Sequence, residues 1–147
     1  MKKLTTFIKN LFYPVKARQE SARLSRNLSR YDLIEEEVIK VINNRIYLQP
    51  GFGLNHLSQE TGVPYYHLTV YFNYYLGTTF NEWKNNLRIE YIIDHFVQGR
   101  ARNLTLETLA REAGYLSRSN FVNAFTKKTG MNPSKYLNFL IKQKNAN

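Results

Sequence analysis

The segment RSNFVNAFTKKT, residues 118–129, carries side chains that could read base pairs in DNA. An arginine guanidinium can form paired hydrogen bonds with O6 and N7 of guanine, and an asparagine amide can pair with N6 and N7 of adenine. On a helix, the candidate base-contacting residues of this segment are Arg118, Ser119, Asn120 and Asn123. Lys127 and Lys128 are candidate phosphate contacts, because an ammonium group acts as a point charge beside the DNA backbone. The competing interpretation of these two lysines is a solvated helix face.

Residue types used in catalysis and metal binding are sparse in the sequence or badly spaced. There is no Cys, which excludes thiolate metal sites and disulfides. The three histidines, His56, His67 and His95, do not have the spacing of metal ligands. No Gly-rich phosphate loop, nucleophile elbow or paired-carboxylate motif occurs. We therefore expect no metal, no cofactor and no enzymatic activity.

The chain has a formal net charge of +10, which points to an anionic partner, either nucleic acid or a membrane surface. Residues 1–30 carry +7 of this charge and residues 31–147 only +3. Residues 1–30 are therefore a basic N-terminal extension. For the rest of the chain, the evidence for a function has to come from the sequence pattern more than from charge.

The extension also leaves a second function open. Helical spacing predicts a short basic amphipathic helix over residues 2–13, ended by Pro14, and residues 15–30 read as a linker or a weak helix. Such a helix could anchor the chain to a membrane surface or dock on another protein. No run approaches about 20 apolar residues, so no membrane-spanning helix is predicted. Lys9 and Asn10 interrupt the run that a signal peptide would need, and we expect a cytoplasmic protein.

Seven landmarks in the middle of the chain recur in its C-terminal part. Leu54, Leu57 and Gly62 recur 52 residues later, as Leu106, Leu109 and Gly114. Leu68, Phe72, Gly77 and Trp83 recur 53 residues later, as Phe121, Phe125, Gly130 and Tyr136. The offset changes by one residue only between Gly62 and Leu68, where a turn is expected. Two copies of one supersecondary unit would show this pattern.

Each copy reads as a short helix, a turn with Gly62 or Gly114, and a longer helix, which is the helix-turn-helix pattern. Thr105 is a natural N-cap for the second copy, and Asp32 is predicted to cap an earlier helix that continues to about Asn44. A helix between the copies would set two recognition helices about 34 Å apart, one turn of DNA. The predicted organisation is a basic extension at 1–30 and a DNA-binding domain at 31–147, with the first helix-turn-helix at about 54–77, the linker helix at about 80–98 and the second helix-turn-helix at about 105–130.

The repeated region closely resembles the AraC/XylS-type DNA-binding domain. The resemblance covers roughly residues 33–141 and is carried by Leu109-Ala110, Gly114-Tyr115, Ser117, Ser119, Phe121, Phe125, Gly130, Pro133 and Tyr136. It implies an all-α fold of about seven helices, with two helix-turn-helix subdomains joined by a long linker helix. It also implies a bacterial-type transcription regulator whose partner is double-stranded promoter DNA. RNA polymerase is a second candidate partner, and two non-identical units in tandem suggest binding as a monomer.

The resemblance also suggests how the first recognition helix meets DNA. Its exposed face is predicted to lie opposite Leu68 and Phe72. The candidate base contacts there are Tyr66, Thr69 and Val70, and the candidate phosphate contacts are Tyr65, His67 and Asn73. For the tyrosines, ordinary packing is the alternative. The chain departs from the family at Pro64, where Ser is usual, and at Val70, where a long polar or basic residue is common. Arg88 matches a structural arginine of the family and is not expected to contact DNA.

Overall fold

A computed structural model describes residues 24–99 and 104–145 of the chain. Within these residues every regular element is a helix, and no strand occurs. A short 3-10 helix lies at Ile46–Leu48, and a turn of π-helix lies at Tyr71–Tyr75. The seven α-helices are α1 (Leu24–Asn43), α2 (Leu54–Thr61), α3 (Tyr65–Val70), α4 (Phe80–Val97), α5 (Leu106–Glu112), α6 (Arg118–Thr129) and α7 (Pro133–Asn145). The all-α prediction is confirmed.

The chain divides into two compact units, and the first comprises Met1–Asn44 and Gly53–Trp83. Its described part contains α1, α2, α3, the π turn and the start of α4. The core of this unit is strongly aromatic, because Phe72 packs against Phe80 and Trp83 at ring distances of 5.4 and 5.0 Å. Trp83 and Leu57 are fully buried. Burying such large apolar side chains stabilises the unit by about 1.5–3 kcal/mol each.

The second unit comprises Arg45–Phe52 and Lys84–Asn147. Its core joins Ile89, Ile92 and Phe96 of α4 to buried residues of α5 and α6. Phe125 of α6 also packs edge-on against Tyr136 of α7, with ring centroids 5.4 Å apart. The repeated landmarks Phe121 and Phe125 therefore serve the packing of the unit, as their spacing of four residues indicates.

Helix α1 begins earlier than the sequence predicts. The expected N-cap residue, Asp32, lies in the interior of a 20-residue helix that already includes Leu24. That expectation was wrong, because no Gly or Pro interrupts residues 24–31 and Tyr31 makes a tertiary contact. The ring of Tyr31 stacks on Tyr75 with centroids 4.6 Å apart. The amphipathic helix predicted over residues 2–13 lies outside the described residues.

In the part of the chain that the structure describes, no helix is both long enough and apolar enough to cross a bilayer. Over the same residues, no group of three or more His, Cys, Asp or Glu side chains could hold a metal ion.

Candidate nucleic-acid interface

The turn of the first helix-turn-helix, between α2 and α3, is held by local hydrogen bonds. Gly62 adopts a φ of 67°, a conformation that favours glycine. The Ser58 hydroxyl donates to the carbonyl of Val63 at 2.6 Å. The Thr61 hydroxyl accepts from the backbone N–H of Val63 at 3.2 Å and donates to the carbonyl of Leu57 at 2.7 Å. Short polar side chains thus satisfy the backbone groups left unpaired where α2 ends.

The turn of the second unit is tighter and leaves no room for a side chain. Gly114 has a φ of 81°, and a Cβ atom at this position would lie 2.3 Å from the carbonyl oxygen of Leu48. The helices on either side are both N-capped by a side chain. The Thr105 hydroxyl accepts from the N–H of Thr108 at 3.1 Å, and the Ser117 hydroxyl accepts from the N–H of Asn120 at 3.2 Å. The predicted N-cap at Thr105 is confirmed.

The first recognition helix consists of α3 and the π turn that continues it. Tyr65 and Tyr66 are 52% and 72% exposed, so packing in the core does not account for either residue. Asn73 is exposed, whereas Thr69 and Val70 are half-buried. The Thr69 hydroxyl donates to the carbonyl of Tyr65 at 3.0 Å, which is a common use of Thr inside a helix. This hydrogen bond leaves the oxygen lone pairs and the methyl group of Thr69 for other contacts.

His67, on the same helix, is half-buried and has a partner outside the helix-turn-helix. Nη2 of Arg30 on α1 lies 2.9 Å from Nε2 and 3.4 Å from Nδ1 of His67. Because arginine can only donate, the imidazole ring is the acceptor in this contact. The first recognition helix is therefore in contact with a cation that comes from α1.

The second recognition helix, α6, carries four exposed polar side chains in its N-terminal half. The predicted base-contacting residues Arg118, Ser119, Asn120 and Asn123 are all exposed at or near its N-terminal end. Phe121 and Phe125 are buried on the other side of the helix. The helix thus presents donors and acceptors of the kinds that major-groove edges require.

The two lysines at the end of α6 differ in their surroundings. Lys127 is exposed. Lys128 is half-buried, and its Nζ lies 3.3 Å from a carboxylate oxygen of Glu90 on α4. The positive charge of Lys128 is therefore partly neutralised by Glu90 within the second unit.

Arg88, in the α4 segment of the second unit, is 4% exposed and donates to three backbone carbonyls. Its Nε donates to Tyr47, its Nη1 to Gly114 and its Nη2 to Gln49, each at 2.9 Å. The guanidinium carbon also lies 5.4 Å from the ring centroid of Tyr115. Burial lowers the pKa of Arg88 from its ordinary value and raises the pKa of Tyr115. This arrangement fastens the 3-10 segment to the turn of the second helix-turn-helix.

A family model described as a helix-turn-helix domain, of the AraC type, matches residues 57–138, more than half of the chain. The chain belongs to the AraC-type helix-turn-helix family of DNA-binding transcription regulators. No curated protein sequence is significantly similar to it. Two solved structures share the fold. A protein of unknown function from Listeria innocua has a TM-score of 0.62 and 24% identity, with 72% of this chain and 96% of that chain covered. A DNA-binding transcriptional dual regulator from Escherichia coli K-12 has a TM-score of 0.61 and 21% identity, with 72% and 90% covered.

The structural role that the AraC-type resemblance implies for Arg88 is confirmed by its burial and its three carbonyl partners. The contact of Arg30 with His67 was missed, because the sequence assigns Arg30 to the extension. The two residues are 37 positions apart, and no spacing rule links them. The assignments of individual AraC-type residues to bases and phosphates remain predictions.

Proposed function

We propose that this AraC-type protein is a sequence-specific transcription regulator that reads two adjacent major-groove segments of promoter DNA. The observation that carries the proposal is the presence of two recognition helices, each with an exposed polar face. The first follows a turn held by side-chain hydrogen bonds, and the second has a side-chain N-cap. A helix-turn-helix places such a helix in the major groove, where each base pair presents a distinct pattern of donors, acceptors and methyl groups. The function given for the Escherichia coli neighbour agrees with this proposal.

The two helices offer different chemistry to the DNA. On α6, Arg118 and Asn120 supply groups that suit guanine and adenine. On α3, Tyr66, Thr69 and Val70 supply hydroxyl and apolar groups, and the methyl groups of Thr69 and Val70 suit thymine methyls. We infer that the second helix specifies its base pairs more sharply, because paired hydrogen bonds discriminate better than apolar contact.

The phosphate contacts are assigned to the residues that flank these base-reading faces. We assign this role to Tyr65, His67 and Asn73 in the first unit, and to Lys127 and Lys128 in the second. Binding as a monomer follows from the tandem order of two unlike units, since a palindromic site would mirror a symmetric dimer. Docking on RNA polymerase completes the proposed role at promoters, and the protein needs no catalytic activity for it.

The test is selection of binding sites from a random duplex pool with the full chain, followed by measurement of affinity and stoichiometry. We expect one asymmetric site bound by one protein chain, with specific affinity about 10³-fold or more above that for a scrambled duplex. Equal affinity for selected and scrambled duplexes would refute sequence-specific reading. A palindromic site that binds two chains would refute the monomer.

A further inference from the structure

In the part of the first unit whose side chains the structure describes, residues 30–44 and 53–83, acidic side chains outnumber Lys and Arg by six to two. In the corresponding part of the second unit, residues 45–52, 84–99 and 104–143, Lys and Arg outnumber acidic side chains by nine to four. None of the exposed side chains of the first recognition helix is a lysine or an arginine. Neutralisation of phosphates by Lys and Arg supplies much of the affinity of any DNA-binding protein.

The two basic side chains of this region are both on α1 but differ in their contacts. Lys40 is ion-paired with Glu37 on its own helix. Arg30 lies at the first recognition helix, where its Nη2 donates to Nε2 of His67 at 2.9 Å. Arg30 is exposed, and an arginine has five N–H donors, so the bond to His67 leaves donors for a further partner.

The position of Arg30 is supported by the residue that follows it. The ring of Tyr31 stacks on Tyr75 at 4.6 Å and lies 6.3 Å from the ring of Tyr71, both of which belong to the π turn. Tyr71 and Tyr75 stack on each other at 5.4 Å. These ring contacts hold α1 against the recognition helix. The α1 backbone at Arg30 is therefore placed beside the first recognition helix.

We propose that Arg30 is a DNA-binding residue of the first unit, which contacts a backbone phosphate next to the base pairs read by α3. This inference rests on the proposed function and adds to it a contact from a helix outside the helix-turn-helix. His67 acts as a positioning residue, because its Nε2 accepts from the guanidinium and orients it. A phosphate oxygen suits the planar guanidinium, which can present two N–H groups to it.

The experiment compares R30A, R30Q, R30K and K40A in the full chain, on a selected duplex of about 30 base pairs and on a scrambled one of equal length. The dependence of affinity on salt is measured by fluorescence anisotropy. Losing one phosphate contact should lower the log–log salt slope by about 0.9 and weaken both duplexes by roughly threefold to tenfold near 0.15 M salt. We expect this for R30A and R30Q, whereas R30K should keep the slope.

K40A is the matched control, because it removes the same charge from the same helix at a site paired with Glu37. Its slope should equal that of the unchanged protein. If R30A and R30Q have the same slope as K40A, the inference on Arg30 is overturned. Thermal unfolding shows whether R30Q is folded, as the comparison requires. K127A provides the second reference: if it flattens the slope while the Arg30 variants do not, only the inference on Arg30 fails. Absence of duplex binding by the unchanged protein would instead refute the proposed function.

Discussion

Replacement of Arg88 by Ala should destabilise the second unit severely. The side chain is buried and donates to the carbonyls of Tyr47, Gln49 and Gly114. The variant leaves these three acceptors without their donors, at about 1–3 kcal/mol for each buried group. Its contact with the Tyr115 ring adds up to about 1–2 kcal/mol.

Part of this loss is offset, because the variant no longer has to bury a cation, a cost reflected in the lowered pKa of Arg88. The hydrogen bond to the carbonyl of Gln49 is also only partly buried, so losing it should cost about 1 kcal/mol, the lower end of the range. We therefore expect a net destabilisation of about 3–5 kcal/mol, the range found when a buried charged network is broken. The whole free energy of unfolding of a native domain is only about 5–15 kcal/mol.

Urea unfolding, followed by far-ultraviolet circular dichroism, measures the effect. Arg111→Ala is the matched control, since Arg111 is an exposed arginine of the same unit and should change stability by no more than about 0.5 kcal/mol. Arg88→Lys keeps the charge but loses the planar set of N–H donors, so its free energy of unfolding should lie between those of Arg88→Ala and Arg111→Ala. If Arg88→Ala and Arg111→Ala have the same free energy of unfolding, the assignment of Arg88 as the residue that fastens this turn is wrong.

Three further outcomes are expected. Gly114→Ala should lower the free energy of unfolding in urea by about 3 kcal/mol or more, because the new Cβ would clash with the Leu48 carbonyl oxygen. Gly130→Ala is the control, with a similar φ but open space around the Cβ position, and should lower it by about 1 kcal/mol. Equal losses for the two variants would contradict this. The Tyr115 hydroxyl is buried, and no group among the described residues makes a hydrogen bond with it. Tyr115→Phe should therefore leave the free energy of unfolding unchanged or raise it by up to about 1 kcal/mol, and a clear decrease would show that the hydroxyl is paired. Deleting residues 1–23, which carry a net charge of +5, should flatten the log–log salt slope of DNA binding by several units, at about 0.9 per phosphate contact. The DNA sequence that the protein prefers should not change. An unchanged slope would favour the membrane or protein-docking role of the extension.

Features that depend on neighbouring residues could be predicted from the sequence. The linker helix, expected at about 80–98, occurs at Phe80–Val97. The glycine turns at Gly62 and Gly114 and the cap at Thr105 also follow expectation, because positive φ and N-capping are set within a few residues. The spacing of Leu68 and Phe72 identified the buried side of the first recognition helix in the same way.

Features that depend on distant residues could not be predicted in this way. The start of α1 was placed too late, because the stacking of Tyr31 on Tyr75 joins residues 44 positions apart. The contact between Arg30 and His67 and the three carbonyl partners of Arg88 have the same origin in tertiary structure. The π turn at Tyr71–Tyr75 was also not foreseen, since its residues are equally compatible with continued α-helix.

The most direct test of DNA reading by two recognition helices is to repeat the selection of binding sites with Thr69→Ala and with Arg118→Ala. In the site of the unchanged protein we expect two groups of specified base pairs, about one helical turn or roughly 10 base pairs apart. Thr69→Ala should relax preference only in one group, and Arg118→Ala only in the other, with a cost of about 1–3 kcal/mol on the selected duplex for Arg118→Ala. A single group of specified base pairs, or relaxation of the same positions by both variants, would contradict the reading of DNA by two helices.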